Sequence, residues 1–417
     1  MKRHSLITSL VNFSGNARGC VYSEPLWGIA YNLYAPYISV YMLALGLSDR
    51  QIGLIASITW GVQILTMLFS GVMTDKLGRR RTTLIIDLLA WSLPALISAL
   101  AQNYWFFLVA GLLNTLWRVA HNSWSCLLVE GTDPDQLVDV YTWIYIANQI
   151  VGFAAPLTGV LINAFGLVTT MRGLYFFATA MFALKAFITY RLTREPEQGL
   201  ARMQATRHQS IFSVLGEYKG VLRDLLHTPQ TLYVTALLMI TSITWMISGN
   251  FWSIIVTQKL NIPEQYLAIF PFVKSAIMLI FFFAIIPVIN KVHFKGPLVL
   301  GFLGYVASLV LLVTAPVGGY VSLILSVCLD ACSFAVVGPL MDKLTAVSID
   351  PKERARILSL VFMAVVLITS PFGWVAGTLS EIDRALPFVL CLILYAIGAG
   401  LAYYVGKRNI ISTPEQA

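Results

Sequence analysis

The sequence predicts an all-α integral membrane protein of twelve transmembrane helices in two pseudo-symmetric six-helix bundles. Three observations carry that prediction. Only 12% of the 417 residues are Asp, Glu, Lys or Arg, about half the share usual in soluble domains, which leaves too little charge to cover a soluble surface. Apolar residues make up 58% of the chain and gather in runs of about 20 residues, the length that crosses a hydrocarbon layer. The runs fall into two sets of six around one polar stretch, 193–229. A soluble enzyme, a disordered chain and a nucleic-acid-binding domain are poor readings of such a composition.

The apolar segments recur at 26–47, 51–73, 82–101, 104–128, 139–164, 168–190, 231–257, 266–289, 296–314, 317–341, 357–379 and 386–406. Turn residues or charges bound them, as in Gly46-Leu47-Ser48-Asp49 and Gln102-Asn103. Residues 1–20 are polar and basic, so no cleavable signal peptide is expected. With every second connection on the same side, one side collects 21 Lys and Arg residues and the other 4, leaving Arg118, Lys185 and Lys274 within spans. The positive-inside rule then places both termini in the cytoplasm. The net charge of +8 is thereby a topology signal, and nucleic acid is not expected as a partner. Tight exterior turns without an N-x-S/T sequon point to a bacterial inner (cytoplasmic) membrane.

The domains expected are an N-terminal bundle, 1–192, a cytoplasmic linker, 193–229, and a C-terminal bundle, 230–417. Within the linker Ile211, Leu215, Tyr218, Leu222 and Leu225 recur at helical spacing, which suits an amphipathic helix on the membrane surface; a flexible linker is the alternative. The halves resemble each other: Asp133-Pro134 recurs as Asp350-Pro351 and Pro156 as Pro371, at offsets of 217 and 215. Cys20, Cys126, Cys328, Cys332 and Cys391 form no C-x-x-C pair, so neither a disulfide framework nor a metal site is expected, and no cofactor.

Between the second and third spans stands Gly71-Val72-Met73-Thr74-Asp75-Lys76-Leu77-Gly78-Arg79-Arg80-Arg81. This resembles the G-x-x-x-D-R-x-G-R-R signature of the major facilitator superfamily, with Lys76 where Arg is usual. In that reading Gly71 lets two helices approach, Gly78 permits a tight turn, and the basic cluster holds the loop at the inner leaflet. Asp75 accepts hydrogen bonds at a neighbouring helix N-terminus and favours one conformation. Pro156-Leu157-Thr158-Gly159 resembles part of the pattern of drug–proton antiporters, with Ala155 and Val160 replacing two glycines. The resemblance implies that the first, fourth, seventh and tenth spans line a central pathway.

A charge at mid-membrane depth costs about 2.5–3.5 kcal/mol on insertion scales, so Arg118, Lys274 and Asp330 should face protein or water. Asn114, Trp117, Arg118, His121 and Ser125 share one helical face in the spacing, and a polar face on a membrane helix implies a cavity. Tyr34, Tyr145, Asn148, Trp245 and Trp252 join the candidate lining. Lys274 and Asp330 could equally form a structural ion pair, and His121 could be a packing residue. Asp330, Glu24 and Asp87 are the candidates for a coupling proton, Asp330 first. Pro156, Gly159 and Pro371 are expected to bend the spans that move.

The function expected is secondary active transport by alternating access, proton-coupled, with a small polar or anionic metabolite as substrate. The alternatives are a multidrug–proton antiporter, a sugar transporter and, on the same scaffold, a lipid flippase. A membrane enzyme is disfavoured, because no nucleophile–base arrangement, metal spacing or phosphate-cradling loop is present in the sequence. The partners expected are the substrate, protons and the bilayer, and the protein is expected to be a monomer.

Overall fold

The computed structural model describes residues 10, 13–130, 132, 136–206, 229–284, 295–347 and 354–407. Every regular element among them is helical. The first half holds α1 (Gly15–Tyr34), α2 (Ile38–Ala44), α3 (Asp49–Leu77), α4 (Arg79–Asp87), α5 (Leu93–Ala99), α6 (Tyr104–Asn114), α7 (Trp117–Glu130), α8 (Leu137–Gly152), α9 (Pro156–Phe165) and α10 (Leu167–Leu192). A short helix, α11 (Glu197–Thr206), follows. The second half holds α12 (Pro229–Ile254), α13 (Ile269–Ala284), α14 (Lys295–Val313), α15 (Tyr320–Val347), α16 (Arg354–Thr369), α17 (Pro371–Ile382) and α18 (Leu386–Lys407).

Nine helical stretches among the described residues are long and apolar enough to cross a membrane. Three further segments are consistent with a total of twelve: α1 continued through a 3-10 turn into α2, α6 followed by α7, and α13, which ends where the described residues end. Large apolar side chains such as Val160, Ile280, Leu300 and Val321 stand exposed, as expected where lipid is the solvent.

The residues group into two compact units, Met1–Leu47 with Gly61–Leu215, and Ser48–Trp60 with Gly216–Ala417. In the first, Phe13, Ala17, Cys20, Val21, Trp124, Leu128 and Val140 form one buried cluster, and Ile86, Ala90, Val119 and Ala120 another. In the second, α14 meets α15 at Gly301 and Gly304. The Ser308 hydroxyl there donates to the Ser326 carbonyl, and Ser326 to that of Ser308, each at 2.8 Å. Small residues and reciprocal hydroxyls are how membrane helices hold together without a hydrophobic driving force.

Several helices depart from the apolar pattern for identifiable reasons. Helix α1 starts at Gly15, well before the apolar run at 26, because its polar residues find partners: Asn16 donates to the Leu127 and Arg194 carbonyls, and Ser23 meets the Thr189 hydroxyl at 2.7 Å. The fourth span is interrupted at Thr115–Leu116, so the single face expected from Asn114 to Ser125 is divided between α6 and α7. Pro156 and Pro371 each open a new helix at its first position, where a missing N–H costs nothing. Among the described residues a Cβ on Gly71 would meet nothing within 4 Å. The Ile211–Leu225 pattern lies outside the described residues.

Candidate functional site

Two polar clusters lie inside the first unit. The deeper one pairs Asp87, the last residue of α4, with Lys185 of α10: Nζ to Oδ2 is 2.6 Å, and the side chains are 5% and 8% exposed. Glu24 of α1 lies within electrostatic reach of both and takes a hydrogen bond from the Asn148 amide. Gly28 makes that approach possible, since a Cβ there would sit 2.6 Å from Val151 Cγ2 and 3.4 Å from Asn148 Oδ1. Just beyond lies an aromatic wall. Trp27 stacks on Tyr31 at 4.9 Å, Trp91 meets Trp27 edge-on at 5.1 Å, and Tyr34 packs on Tyr175 at 4.7 Å.

Trp91 stands in a π turn, Leu88–Ser92. A wider turn frees a carbonyl from the helical ladder, and Asn114 donates to the Ala90 carbonyl at 2.8 Å. Asn114 therefore holds the turn in place rather than standing open.

The second cluster is on α7. Arg118 donates from Nε to Gln63 Oε1 at 3.3 Å, and its guanidinium lies 4.1 Å from the centre of the Trp117 ring. Among the described residues no carboxylate pairs with it. His121 is exposed and lies between the Trp117 and Trp124 rings, 6.1 and 6.3 Å away.

In the second unit Lys274 of α13 and Asp330 of α15 pair at 2.6 Å, each side chain about a third exposed. The Lys274 ammonium also lies 5.3 Å from the Phe334 ring. Tyr305 and Tyr395 stack beside them at 4.4 Å. Trp252 packs on Phe270 at 5.4 Å, and exposed Trp245 meets Trp60 at 6.3 Å. Tyr145 lies on α8, three residues before Asn148.

The basic turn forms a network of its own. Arg79, buried, grips Glu130 with Nε at 2.9 Å and Nη2 at 3.1 Å, and Asp75 with Nη1 at 2.9 Å. Arg80 donates to the Tyr190 carbonyl and lies over the Tyr190 ring at 3.9 Å. Lys76 closes the last turn of α3, and Gly78 holds φ at +83°. Glu130 and Glu195 are participants that the sequence reading missed. Their partners are 51 and 116 residues away along the chain, and no local pattern announces them.

The fold is that of a multi-pass helical membrane protein in which buried charges pair between helices. The chain belongs to the Major Facilitator Superfamily, whose profile matches residues 26–373. It is 28% identical over 133 residues to the uncharacterized MFS-type transporter YqjV of Bacillus subtilis (strain 168), covering 31% of this chain and 32% of that one. It is also 28% identical over 223 residues to the multidrug resistance protein MdtG of Citrobacter koseri (strain ATCC BAA-895 / CDC 4225-83 / SGSC4696), covering 51% of each. The aligned regions thus span a third to a half of these relatives. The crystal structure of the nucleoside transporter NupG shares the fold, with a TM-score of 0.73 and 14% identity over 95% of this chain and all of that one.

Proposed function

We propose that the chain is a proton-coupled secondary transporter that carries a small polar or anionic metabolite by alternating access. The observation that carries this reading is Arg118. Lys185 and Lys274 each hold a carboxylate at 2.6 Å, whereas among the described residues Arg118 rests only on Gln63 and the Trp117 face. A guanidinium inside a membrane protein without an acidic partner favours an anionic group on the ligand, which it can grip with paired N–H donors. The rest of the proposal is a monomer in the bacterial cytoplasmic membrane with both termini inside, and domain limits of 1–192, 193–229 and 230–417.

The test is uptake and counterflow in proteoliposomes with labelled mono- and dicarboxylates, neutral sugars and cationic dyes. Trans-stimulation by unlabelled substrate identifies a carrier. Arg118→Ala should lower uptake of the anionic substrate by about 10- to 100-fold, the worth of one hydrogen bond to a charged group. Equal losses for neutral substrates would remove the anion from the proposal. The similarity to MdtG over half the chain favours a second reading, drug–proton antiport, in which dye export persists in Arg118→Ala.

A further inference from the structure

We propose that the coupling proton of the transport cycle binds at Glu24, with Asp87 and Lys185 as the standing ion pair that keeps this carboxylate short of a cation. The inference rests on the transporter reading and deepens it by assigning the proton site.

Charge balance inside the first unit leads to it. Three ionisable side chains of α1, α4 and α10 converge, two carboxylates and one ammonium. Lys185 is committed to Asp87 at 2.6 Å, in a contact almost closed to solvent. Glu24 is left with a share of that ammonium and the neutral Asn148 amide. A surplus carboxylate in a low-dielectric interior needs a further positive charge or a proton. Among the described residues no further cation acts on it. Arg118, a half-buried cation of the same unit, is not among the charges acting on Glu24, and among the described residues no carboxylate pairs with it, while buried Arg79 is taken by Asp75 and Glu130.

The other groups facing Glu24 do not change the count. Cys20, one turn earlier on α1, is a buried free thiol. His121 of α7 feels Lys185 and Arg118, not Glu24. Among the described residues α8 and α9 place no further charge on Glu24, the carboxylate of Asp139 at the start of α8 not being among those acting on it, and Asp87 of α4 is already paired. In the second unit Lys274 and Asp330 match one to one at 2.6 Å, so Asp330 reaches neutrality without a proton. This moves the assignment away from Asp330, the first candidate in the sequence.

The surroundings suit a site that loads and unloads. On one side the Ser23–Thr189 hydroxyl contact clasps α1 to α10; on the other, Trp27 and Trp91 stand edge to face. Glu24 itself remains partly exposed. Loading converts its carboxylate to a carboxylic acid with a proton from water, and release returns it. The ionised form competes with Asp87 for Lys185, so proton occupancy sets how firmly α1 is drawn to α10.

The test uses the full-length protein in liposomes with no substrate, and the probe is the proton. Infrared difference spectra recorded across a pH titration report the C=O stretch of a protonated carboxyl. Over the bands common to all the carboxyl groups, the wild type should show one that is missing from Glu24→Gln and retained with an altered midpoint in Glu24→Asp. Wild-type and Glu24→Gln spectra that superimpose, or loss of that one band in Asp330→Asn instead, overturns the proposal. Because Glu24→Asp keeps the carboxyl, its spectrum decides the matter even if Glu24→Gln does not fold. Loss of the band in Glu24→Gln together with no counterflow of any probe would leave the proton site and sink the transporter reading; the reverse would do the opposite.

Discussion

The Glu195 carboxylate accepts the backbone N–H of Arg79 at 2.6 Å, and its second oxygen accepts that of Arg80 at 2.8 Å. These are the first two amides of α4, orphaned by helix geometry, and a carboxylate there also meets the positive end of the helix dipole. Gly78, with φ at +83°, turns the chain so that both amides face Glu195.

Glu195→Ala should therefore lower stability by about 1–2 kcal/mol, the usual worth of a lost N-cap, with Glu195→Gln losing less. Gly78→Ala adds a strained backbone of about 1–2 kcal/mol and a Cβ 2.7 Å from Met203 Sδ. Thermal unfolding of purified protein checks both. An unchanged melting temperature for Glu195→Ala would show that water caps the helix equally well.

Arg79 serves two carboxylates at once from a buried position. Arg79→Ala strands Glu130, 14% exposed, and breaking a buried pair costs about 3–5 kcal/mol. Arg79→Lys should recover only part of this, because an ammonium cannot reproduce the planar fork. A double-mutant cycle with Glu130→Gln measures the coupling; additive losses would disprove it.

Within the second unit, Gly53 of α3 touches Gly373 and Gly377 of α17, backbone against backbone. A Cβ on Gly53 would lie 2.9 Å from Gly377 Cα, and one on Gly377 would lie 2.7 Å from the Asp49 carbonyl. Around this seam Ser380 donates to Asp49 and the Trp374 N–H to the Ser57 hydroxyl, both at 2.6 Å. Gly53→Val should force the helices apart. Asp49→Cys with Ser380→Cys should cross-link readily in the parent chain and slowly in the Gly53→Val background; equal rates would count against the close seam.

Asp383, in the connection before α18, is held below the ordinary carboxylate range, first by the Ala385 N–H and then by Lys259 at 3.0 Å. A lowered value means that the folded state favours the ionised form. The stabilisation is thus fully present above the ordinary value of about 4 and is lost as pH falls through the lowered one. The melting temperatures of wild type and Asp383→Asn should differ at pH 6, begin to approach each other below about pH 4 and converge only once pH has fallen through the lowered value. Because the pair is exposed the difference will be small, and salt should shrink it.

What could be read from the sequence was one-dimensional. Apolar runs, the basic bias of alternate connections and the Gly71–Arg81 pattern depend on neighbours along the chain, so the spans and the family resemblance were visible. The pairings were not. Asp87 and Lys185 stand 98 residues apart and meet only when α4 and α10 pack. The motif position of Gly71 says nothing about what lies opposite it. The π turn that claims the Asn114 amide has no signature in the spacing. The spacing leaves Lys274 and Asp330 open between pair and site, and the 2.6 Å contact shows that they pair.

The π turn at Leu88–Ser92 puts one peptide of slack into the third span, next to Asp87 and within reach of Asn114. A turn of this kind widens the helix where it stands, so Trp91 meets the Trp27 ring from a widened stretch while Asp87, just before it, keeps its contact with Lys185.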